Sequence, residues 1–354
     1  MTHMKKIAIA CQGGGSHTAF TAGVLKHLLS AGIHQQYDIV SLSGTSGGGI
    51  CALLTWYGLL KAATGATEPV YSPLIDFWQD NTATDWWEIY FNNCLLQARR
   101  WADSGIIPAF NINPENLEVW QQFWLSFAPR KEFLDLKSLL EKHVDFTSLP
   151  QLVNASSPRL FVGAVNILSG NFKIFDSHKG EINVDSILAS CAVPPFFKAV
   201  TIDGELYWDG LFAENPPLNR ILFNDNKPDE VWVIQVNPRE RKSEPKTEVD
   251  ILDRHNELAG NILLGAEIEL VKMINNWLDQ GAFKEEFLAK MPLKKIQVRI
   301  IAMDSALSAS LDYASKLDRS PYHLKDLILD GQKQAEAFLT NPDDKLFQPI
   351  SWYN

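Results

Sequence analysis

A short apolar stretch that ends in a glycine and serine turn constrains this chain most. Residues 39–43 are Ile-Val-Ser-Leu-Ser, and Gly44-Thr45-Ser46-Gly47-Gly48 follows them directly. Gly-x-Ser-x-Gly between a strand and a helix is typical of a nucleophile elbow, in which the serine has a strained backbone and an exposed hydroxyl. Gly44 and Gly48 are needed because side chains there would collide. The following helix would point free N–H groups toward an oxyanion at Ser46.

The early position of Ser46 narrows the choice of fold. A similar pattern also occurs as a plain tight turn or as a phosphate cradle. In an α/β-hydrolase the elbow follows several strands and helices, whereas the residues before Ser46 have room for one strand, one helix and a second strand. We therefore expect a different serine-hydrolase plan.

Composition and charge exclude several classes of protein. With 354 residues, 46% of them hydrophobic and 21% charged, the chain is an ordinary globular protein and not a disordered or fibrous one. A net charge of −10 argues against a nucleic-acid partner and against steady electrostatic attachment to an anionic membrane. Any contact with lipid should be apolar. The four cysteines have no CxxC spacing, so we expect buried free thiols and neither a disulfide nor a metal site.

The N-terminal apolar run is too short for a targeting or membrane segment. It comprises only Ile7 to Cys11 before Gln12 and the glycines. A signal-peptide core or a bilayer span needs a longer run. We expect a cytoplasmic protein, with export by a route that uses no cleaved signal left open.

The periodicity of apolar residues predicts an α/β protein with a mainly parallel sheet. Strand 5–11, a glycine loop, helix 17–31, strand 37–43 and helix 48–61 open the chain. Further predicted helices cover 131–148, 183–191, 251–290 and 321–340, and further strands cover 159–165, 171–176, 231–236 and 296–303. A β pair is expected around Asp203-Gly204, and the charged segment 239–250 is predicted to be a loop. We expect one domain with an insertion.

The insertion at about 66–130 is rich in aromatic residues. Its rings are Phe77, Trp78, Trp86, Trp87, Tyr90, Phe91, Trp101, Phe110, Trp120, Phe123, Trp124 and Phe127. They could form a lid or acyl-chain pocket that contacts lipid aggregates, or they could pack the insertion onto the sheet. We favour the second interpretation for most of them.

The glycine run Gly13-Gly14-Gly15 is suited to binding an oxyanion. It lies after the first strand, next to the elbow after the second, so both loops open at the same edge of a parallel sheet. Glycines let backbone N–H groups approach a substrate carbonyl closely. A dinucleotide loop is the rival interpretation, but Thr18 occupies the position of its third glycine, and the second strand ends in Ser43 instead of an acid.

The general base is harder to identify from local patterns. None of the eight histidines has the local signature of a catalytic triad, although His178 and His255 lie in polar stretches. Asp209-Gly210 follows an apolar run and precedes Asn215-Pro216-Pro217, which would place a carboxylate at a strand end. An Asp-Gly pair is also a common hairpin turn.

Four blocks of the sequence together resemble the patatin-like phospholipases. They are Gly13-Gly14-Gly15 with Gly23-Val24-Leu25, then Gly44-Thr45-Ser46-Gly47-Gly48, then the block Ala189-Ser190-Cys191-Ala192-Val193-Pro194-Pro195-Phe196-Phe197, and Trp208-Asp209-Gly210. Their order and spacing fit the family. The Asn256-Glu257 segment and the region of Ser315-Lys316-Leu317 resemble a bacterial subgroup with an added C-terminal region. We thus expect an acyl hydrolase domain at 1–303 and a helical extension at 304–354 packed on it.

The resemblance implies a three-layer α/β/α fold and a Ser-Asp dyad. Ser46 would be the nucleophile, Asp209 the general base, and the amides of Gly13, Gly14 and Gly15 the oxyanion donors. The protein would be a phospholipase A-type enzyme or a lysophospholipase that releases a free fatty acid through an acyl-serine intermediate, with no cofactor and no metal. Glycerophospholipid is the substrate that the family implies, and lysophospholipid, neutral glyceride and acyl-thioester stay open; transient contact with a membrane surface is compatible with this activity. Because an unperturbed aspartate has a pKa of about 3.9, burial should raise the pKa of Asp209.

Three residues depart from the family pattern. His17 and Thr18 stand where a basic residue and a glycine are common, and Leu211 stands where glycine or alanine is usual. Thr18 could narrow the acyl site, and Leu211 could reshape the surroundings of Asp209. The alternative is therefore a catalytically weakened lipid-binding or interaction protein. The acyl-chain and head-group preference and the oligomeric state stay open.

Overall fold

The computed structural model describes residues 4–103, 130–194, 197–222, 224–241 and 244–341. The strands in this part of the chain are β1 (Lys6–Cys11), β2 (Asp38–Thr45), β3 (Arg159–Asn166), β4 (Phe172–Asp176), β5 (Val200–Ile202), β6 (Glu205–Asp209), β7 (Glu230–Gln235) and β8 (Gln297–Ala302).

Helices connect these strands. They are α1 (Ala19–Ser30), α2 (Ile33–Gln36), α3 (Gly47–Ala63), α4 (Ser72–Asn81), α5 (Trp86–Asp103), α6 (Leu136–His143), α7 (Leu149–Leu152), α8 (Val184–Ser190), α9 (Asn219–Leu222), α10 (Glu248–Asp279), α11 (Glu285–Lys290), α12 (Ser305–Ser310) and α13 (Pro321–Thr340). Short 3₁₀ turns cover Gly15–Thr18, Lys131–Phe133, Ser177–Lys179, Gly210–Phe212 and Ala314–Leu317.

The strands form one mixed sheet in the order β5-β6-β3-β2-β1-β7-β8, with β4 paired to β3. The pairs that join β3, β2, β1, β7 and β8 are parallel, whereas β4, β5 and β6 pair antiparallel. The central strand β1 is buried on both faces: Ile7, Ile9 and Cys11 pack in one apolar cluster, and Ala8 and Ala10 pack in another. Helices cover both faces, so the predicted three-layer α/β/α fold is confirmed.

Two predicted helices have different bounds because local signals end them. Helix 251–290 is α10 followed by the separate α11, because Gly281 has φ 63° and the Ala282 amide donates to Trp277 O at 2.9 Å. This is a Schellman C-terminus, which glycine favours. The predicted helix 131–148 is shortened to α6, whose N-cap is Asp135.

The aromatic insertion is only partly buried. In α4, Phe77 and Trp78 belong to the core, but on α5 Trp86 is 78%, Tyr90 66% and Trp101 49% exposed. The expectation that most of these rings pack onto the sheet is therefore wrong for α5, and Cys94 on the same helix is exposed instead of buried. Phe110, Trp120, Phe123, Trp124 and Phe127 lie outside the described residues.

An ion pair with a buried carboxylate joins α5 to the segment before α6. Arg130 donates from Nε to Glu88 Oε1 at 2.5 Å and from Nη2 to Glu88 Oε2 at 2.7 Å. Arg130 also lowers the pKa of the Glu88 carboxyl, against the effect of burial. This bidentate contact holds the first turn of α5 against the segment before α6.

The C-terminal helix α13 packs closely on α1, the helix that follows the glycine loop. Glycines make this contact possible: Gly23 faces the carbonyl of Ile328, and Gly331 faces the carbonyl of Phe20. A Cβ atom at either glycine would collide with that backbone oxygen. The segment after residue 303 thus shares the core of the α/β sheet, although the division at 303 stays a prediction.

We expect Gly331→Ala to destabilise the protein by about 1–3 kcal/mol because the added methyl group forces α1 and α13 apart. Thermal unfolding followed by circular dichroism measures this. Gly265→Ala is the matched control, since Gly265 also lies in a helix and a Cβ atom there would have no neighbouring atom within 4 Å. The control should unfold at or slightly above the wild-type temperature. Equal melting temperatures for the two variants would contradict the close approach.

Candidate active site

The backbone at Ser46 has the strained geometry of a nucleophile elbow. Ser46 has φ 56° and ψ −134°, a region that residues other than glycine rarely adopt. A Cβ on Gly44 would lie 2.5 Å from Gly48 O, within the turn itself. A Cβ on Gly48 would lie 2.5 Å from Gln12 O, in the segment that follows β1. The predicted need for glycine at both positions therefore has a direct steric cause.

Strand β3 brings Asp209 beside Ser46. Along one edge of β3, Gly163 pairs with Thr45 at the end of β2, and the next residue, Ala164, pairs with Asp209 at the end of β6. The opposite edge of β3 is occupied by β4 at these positions, so β2 and β6 follow each other on the same edge. A parallel and an antiparallel strand thus end at adjacent positions, one at the serine and the other at the carboxylate.

The Asp209 carboxyl is buried and only half hydrogen-bonded. Its Oδ1 accepts from Leu211 N at 2.8 Å, while Oδ2 has no hydrogen-bond partner within the described residues. Burial raises the pKa of Asp209 to about 7, although the Leu211 amide and the nearby Ser46 hydroxyl lower it in part. Leu211, a departure from the family pattern, contributes here only through its backbone.

The block Ala189–Val193 supports both residues of the pair, a role that sequence reasoning did not assign. Ser190 Oγ accepts from the Ser46 amide at 3.0 Å, and Ala192 O accepts from the Asp209 amide at 3.1 Å. Ser190 is fully buried at the end of α8. The resemblance of this block to the family was the available signal, but only the contacts show what it holds.

The glycine loop lies against the elbow, as predicted, but its three amides are not equivalent. A Cβ on Gly13 would lie 2.9 Å from Ser46 Cβ. The Gly13 amide, however, donates to Asn215 Oδ1 at 2.6 Å, so it already has an acceptor in this structure. The oxyanion role of the three glycines stays a prediction. Within the described ranges, the amides of Gly14 and Gly15 donate to no acceptor. Gly47, the first residue of α3, adds another unused N–H because no side chain caps this helix.

His17 and Thr18 are buried parts of the loop's support. Thr18 Oγ1 donates to Gly15 O at 2.7 Å, and its side chain packs against Gly47. The Ser315 hydroxyl donates to Asp312 O, so His17 Nε2, 2.7 Å from Ser315 Oγ, carries the hydrogen. Burial lowers the pKa of His17, which keeps its ring neutral.

His178 and His255 are the histidines of the polar stretches, which a conventional Ser-His-Asp esterase would use as its base. His178 Nε2 is 3.2 Å from Ser157 O, beyond β4, and His255 is exposed on α10. Of the histidines that the structure describes, none hydrogen-bonds Ser46. The side chain that the structure places beside the Ser46 hydroxyl is the Asp209 carboxyl.

The described residues contain neither a metal-site arrangement nor a membrane-spanning helix. No group of three His, Cys, Asp or Glu side chains there has the arrangement of a metal site. No helix within the described ranges has both the length and the apolar character to cross a bilayer. The acyl pocket predicted for the insertion at about 66–130 stays a prediction, since residues 104–129 lie outside the described part.

Solved structures with a similar chain course have low sequence identity to this protein. VipD from Legionella pneumophila is 12% identical with a TM-score of 0.42, over 96% of this chain and 67% of that one. The type III effector ExoU is 13% identical with a TM-score of 0.34, over 94% and 53%. Human GIVD cytosolic phospholipase A2, in complex with methyl γ-linolenyl fluorophosphonate, is 12% identical with a TM-score of 0.40, over 95% and 59%. This chain thus spans about half to two thirds of their lengths.

No curated protein matches the sequence. The family model for patatin-like phospholipases, in contrast, matches residues 9–222. The match covers more than half of the chain and includes the glycine loop, the elbow, the Ala189–Val193 block and Asp209. The protein belongs to the patatin-like phospholipase family.

Proposed function

We propose that this protein hydrolyses carboxylic esters of lipids through an acyl-serine intermediate, with Ser46 as nucleophile and Asp209 as general base. The observation that carries the proposal is that β2 ends at Thr45, directly before Ser46, next to the position along β3 where β6 ends at Asp209. A strained serine beside a buried carboxylate with an unpartnered oxygen is the arrangement that a two-residue hydrolase needs.

The chemistry follows from the protonation state of Asp209. Ser46 Oγ attacks the ester carbonyl carbon while its proton passes to Asp209 Oδ2, and the carbonyl π pair becomes the oxyanion. Collapse of this intermediate expels the alcohol, which takes the proton from Asp209. Water then attacks the acyl carbon while its proton passes to Asp209, and the second intermediate breaks the bond to Ser46 Oγ, which takes the proton back from Asp209 as the fatty acid leaves. A pKa of about 7 lets one carboxyl both accept and return a proton near neutral pH.

The free amides supply the electrostatic part of catalysis. Those of Gly14 and Gly15 belong to the loop against the elbow, and that of Gly47 opens α3 directly after the serine. Preorganised donors of this kind stabilise the developing oxyanion, and loss of one typically costs about 2.7–4 kcal/mol of transition-state stabilisation.

Hydrolysis of a lipid extract tests the proposal. Purified protein is incubated with mixed glycerophospholipids, lysophospholipids and neutral glycerides, and fatty acid release is measured by mass spectrometry against a Ser46→Ala control. We expect free fatty acid and a matching deacylated lipid only with the wild-type protein. A fluorophosphonate probe should label the wild type at Ser46.

The alternative of a lipid-binding protein without catalysis makes the opposite prediction. Such a protein would bind fatty acid or lysolipid but would neither react with the fluorophosphonate nor release product. Binding without labelling would therefore overturn the proposed hydrolase.

A further inference from the structure

A side-chain amide holds both backbone groups of Gly13. Asn215 Oδ1 accepts from the Gly13 amide at 2.6 Å, and Asn215 Nδ2 lies 3.4 Å from Gly13 O, to which it donates. Asn215 is 4% exposed, so water does not compete for these bonds. Asn215 belongs to the loop that follows Asp209, and this contact ties the base's loop to the glycine loop.

Two further residues complete the hold on Gly13. Asn237, just after β7, also donates from Nδ2 to Gly13 O, at 3.3 Å. The Gln12 side chain, fully buried, accepts from the Val236 amide at 3.0 Å and the Asn237 amide at 2.8 Å, and donates to Asn215 O at 3.3 Å. The support therefore joins the ends of β1 and β7 and the loop after β6.

Peptide geometry converts this hold into an orientation of the next amide. Gly13 O and the Gly14 N–H belong to one planar trans peptide and point in opposite directions. Two donors that fix Gly13 O on the side of Asn215 and Asn237 therefore turn the Gly14 N–H to the opposite side. A Cβ atom on Gly13 would lie 2.9 Å from Ser46 Cβ, so the loop is next to the serine, and the Gly14 amide has no acceptor within the described residues.

We propose that Asn215 is a positioning residue of the reaction, which aims the Gly14 amide at the oxyanion by holding Gly13. This inference rests on the proposed hydrolase function and extends it to a residue outside the dyad. Asn237 has the same role through a single bond. The hydrogen bonds of Asn215 go to Gly13 and Gln12 and not to Ser46 or Asp209, so its assigned role is through the peptide that it orients.

The test compares Asn215→Ala with a control that loses the same kind of clamp. Asn275 holds Ile296 in the same way: its Nδ2 donates to Ile296 O at 2.8 Å and its Oδ1 accepts from Ile296 N at 3.0 Å. Ile296 precedes β8, at the edge of the sheet opposite the carboxyl ends where Ser46 lies. Asn275→Ala therefore removes a two-bond amide clamp from the fold without touching the site.

Kinetics on a p-nitrophenyl ester give the first comparison. We expect Asn215→Ala to lower kcat by about 100-fold with KM within about twofold, the effect of a misdirected oxyanion donor. Asn237→Ala should lower kcat less, by about tenfold, because Asn215 still holds Gly13. Asn275→Ala should lower the melting temperature but leave kcat at the wild-type value. Asn237→Ala also serves if Asn215→Ala does not fold.

Inhibitor affinity gives a second readout that a structural role would not move. An acyl trifluoromethyl ketone adds to Ser46 Oγ: a C–O bond forms, the carbonyl π bond becomes an oxyanion, and the serine proton goes to Asp209. A fatty alcohol of the same chain length binds without forming an oxyanion. Asn215→Ala should lower the affinity for the ketone by about 100-fold and the affinity for the alcohol by less than about threefold.

The outcomes separate this inference from the proposed function. If the wild type hydrolyses the ester and Asn215→Ala retains its kcat, or loses ketone and alcohol affinity equally, Asn215 is only structural and the inference is wrong. If the wild type neither hydrolyses esters nor binds the ketone covalently, the hydrolase proposal itself fails, and the role assigned to the Gly14 amide fails with it.

Discussion

Replacing Ser46 with alanine should lower ester hydrolysis by a factor of at least about 10⁴. The hydroxyl is the only atom of the dyad that can form the acyl intermediate, and the remaining amides would stabilise attack by water only weakly. Steady-state hydrolysis of a p-nitrophenyl ester and labelling by a fluorophosphonate measure the loss. Both signals should disappear while the circular dichroism spectrum is unchanged.

Ser46→Gly provides a matched control for the fold. Because Ser46 has φ 56°, glycine at this position should relieve backbone strain of about 1–3 kcal/mol. Ser46→Gly should therefore be as inactive as Ser46→Ala but should have a higher melting temperature than Ser46→Ala. Fluorophosphonate labelling that persists in either variant would place the nucleophile elsewhere.

Asp209→Asn should lower kcat by about 10²- to 10⁴-fold, the usual contribution of a general base. Asparagine keeps the shape and an oxygen for the Leu211 amide, but it cannot take up the serine proton. Hydrolysis of the same ester measures the effect. A variant that keeps the wild-type rate would show that Asp209 is dispensable and would favour a histidine as the general base.

The pH profile gives an independent check on the same residue. Because the pKa of Asp209 is about 7, the wild-type rate should rise with pH through about 7 as the carboxylate forms. The residual rate of Asp209→Asn should lack this step. A wild-type profile that is flat between pH 5 and 9 would contradict the buried base.

Stability should change with pH in the direction that burial dictates. In the unfolded chain Asp209 has a pKa of about 3.9, below its folded value of about 7. Between these two values the folded protein keeps a proton that the unfolded chain has released, so this group's contribution to stability falls as pH rises and levels off above 7. Asp209→Asn removes the penalty. Urea unfolding at pH 5 and pH 8 should show a larger gain for the variant at pH 8.

The local features of the site could be predicted from the sequence because they depend on neighbouring residues. Gly44 is needed within the turn because a Cβ there would lie 2.5 Å from Gly48 O, whereas the steric cause at Gly48, the Cys11 and Gln12 carbonyls, comes from a distant segment. The loop at Gly13–Gly15 follows a strand, so its place at the carboxyl edge of the sheet also follows from order alone. Asp209 required the family resemblance, since an Asp-Gly pair has several uses.

Other features could not be predicted because they depend on contacts between distant segments. The sequence predicts the Gly13 amide as an oxyanion donor, but in the structure this amide donates to Asn215, which is far away in the chain. The aromatic composition of α5 indicates core residues, but the way the helix packs leaves Trp86 78% exposed.

The sequence by itself determined the order of strands and helices, the elbow and the glycine loop, since short-range sterics and periodicity decide these. Only the tertiary structure decided that Asp209 meets Ser46, because the meeting depends on how β2 and β6 register along β3. It also decided the raised pKa of Asp209 and which amides stay free, since both depend on burial and on hydrogen bonds from segments far apart in the chain.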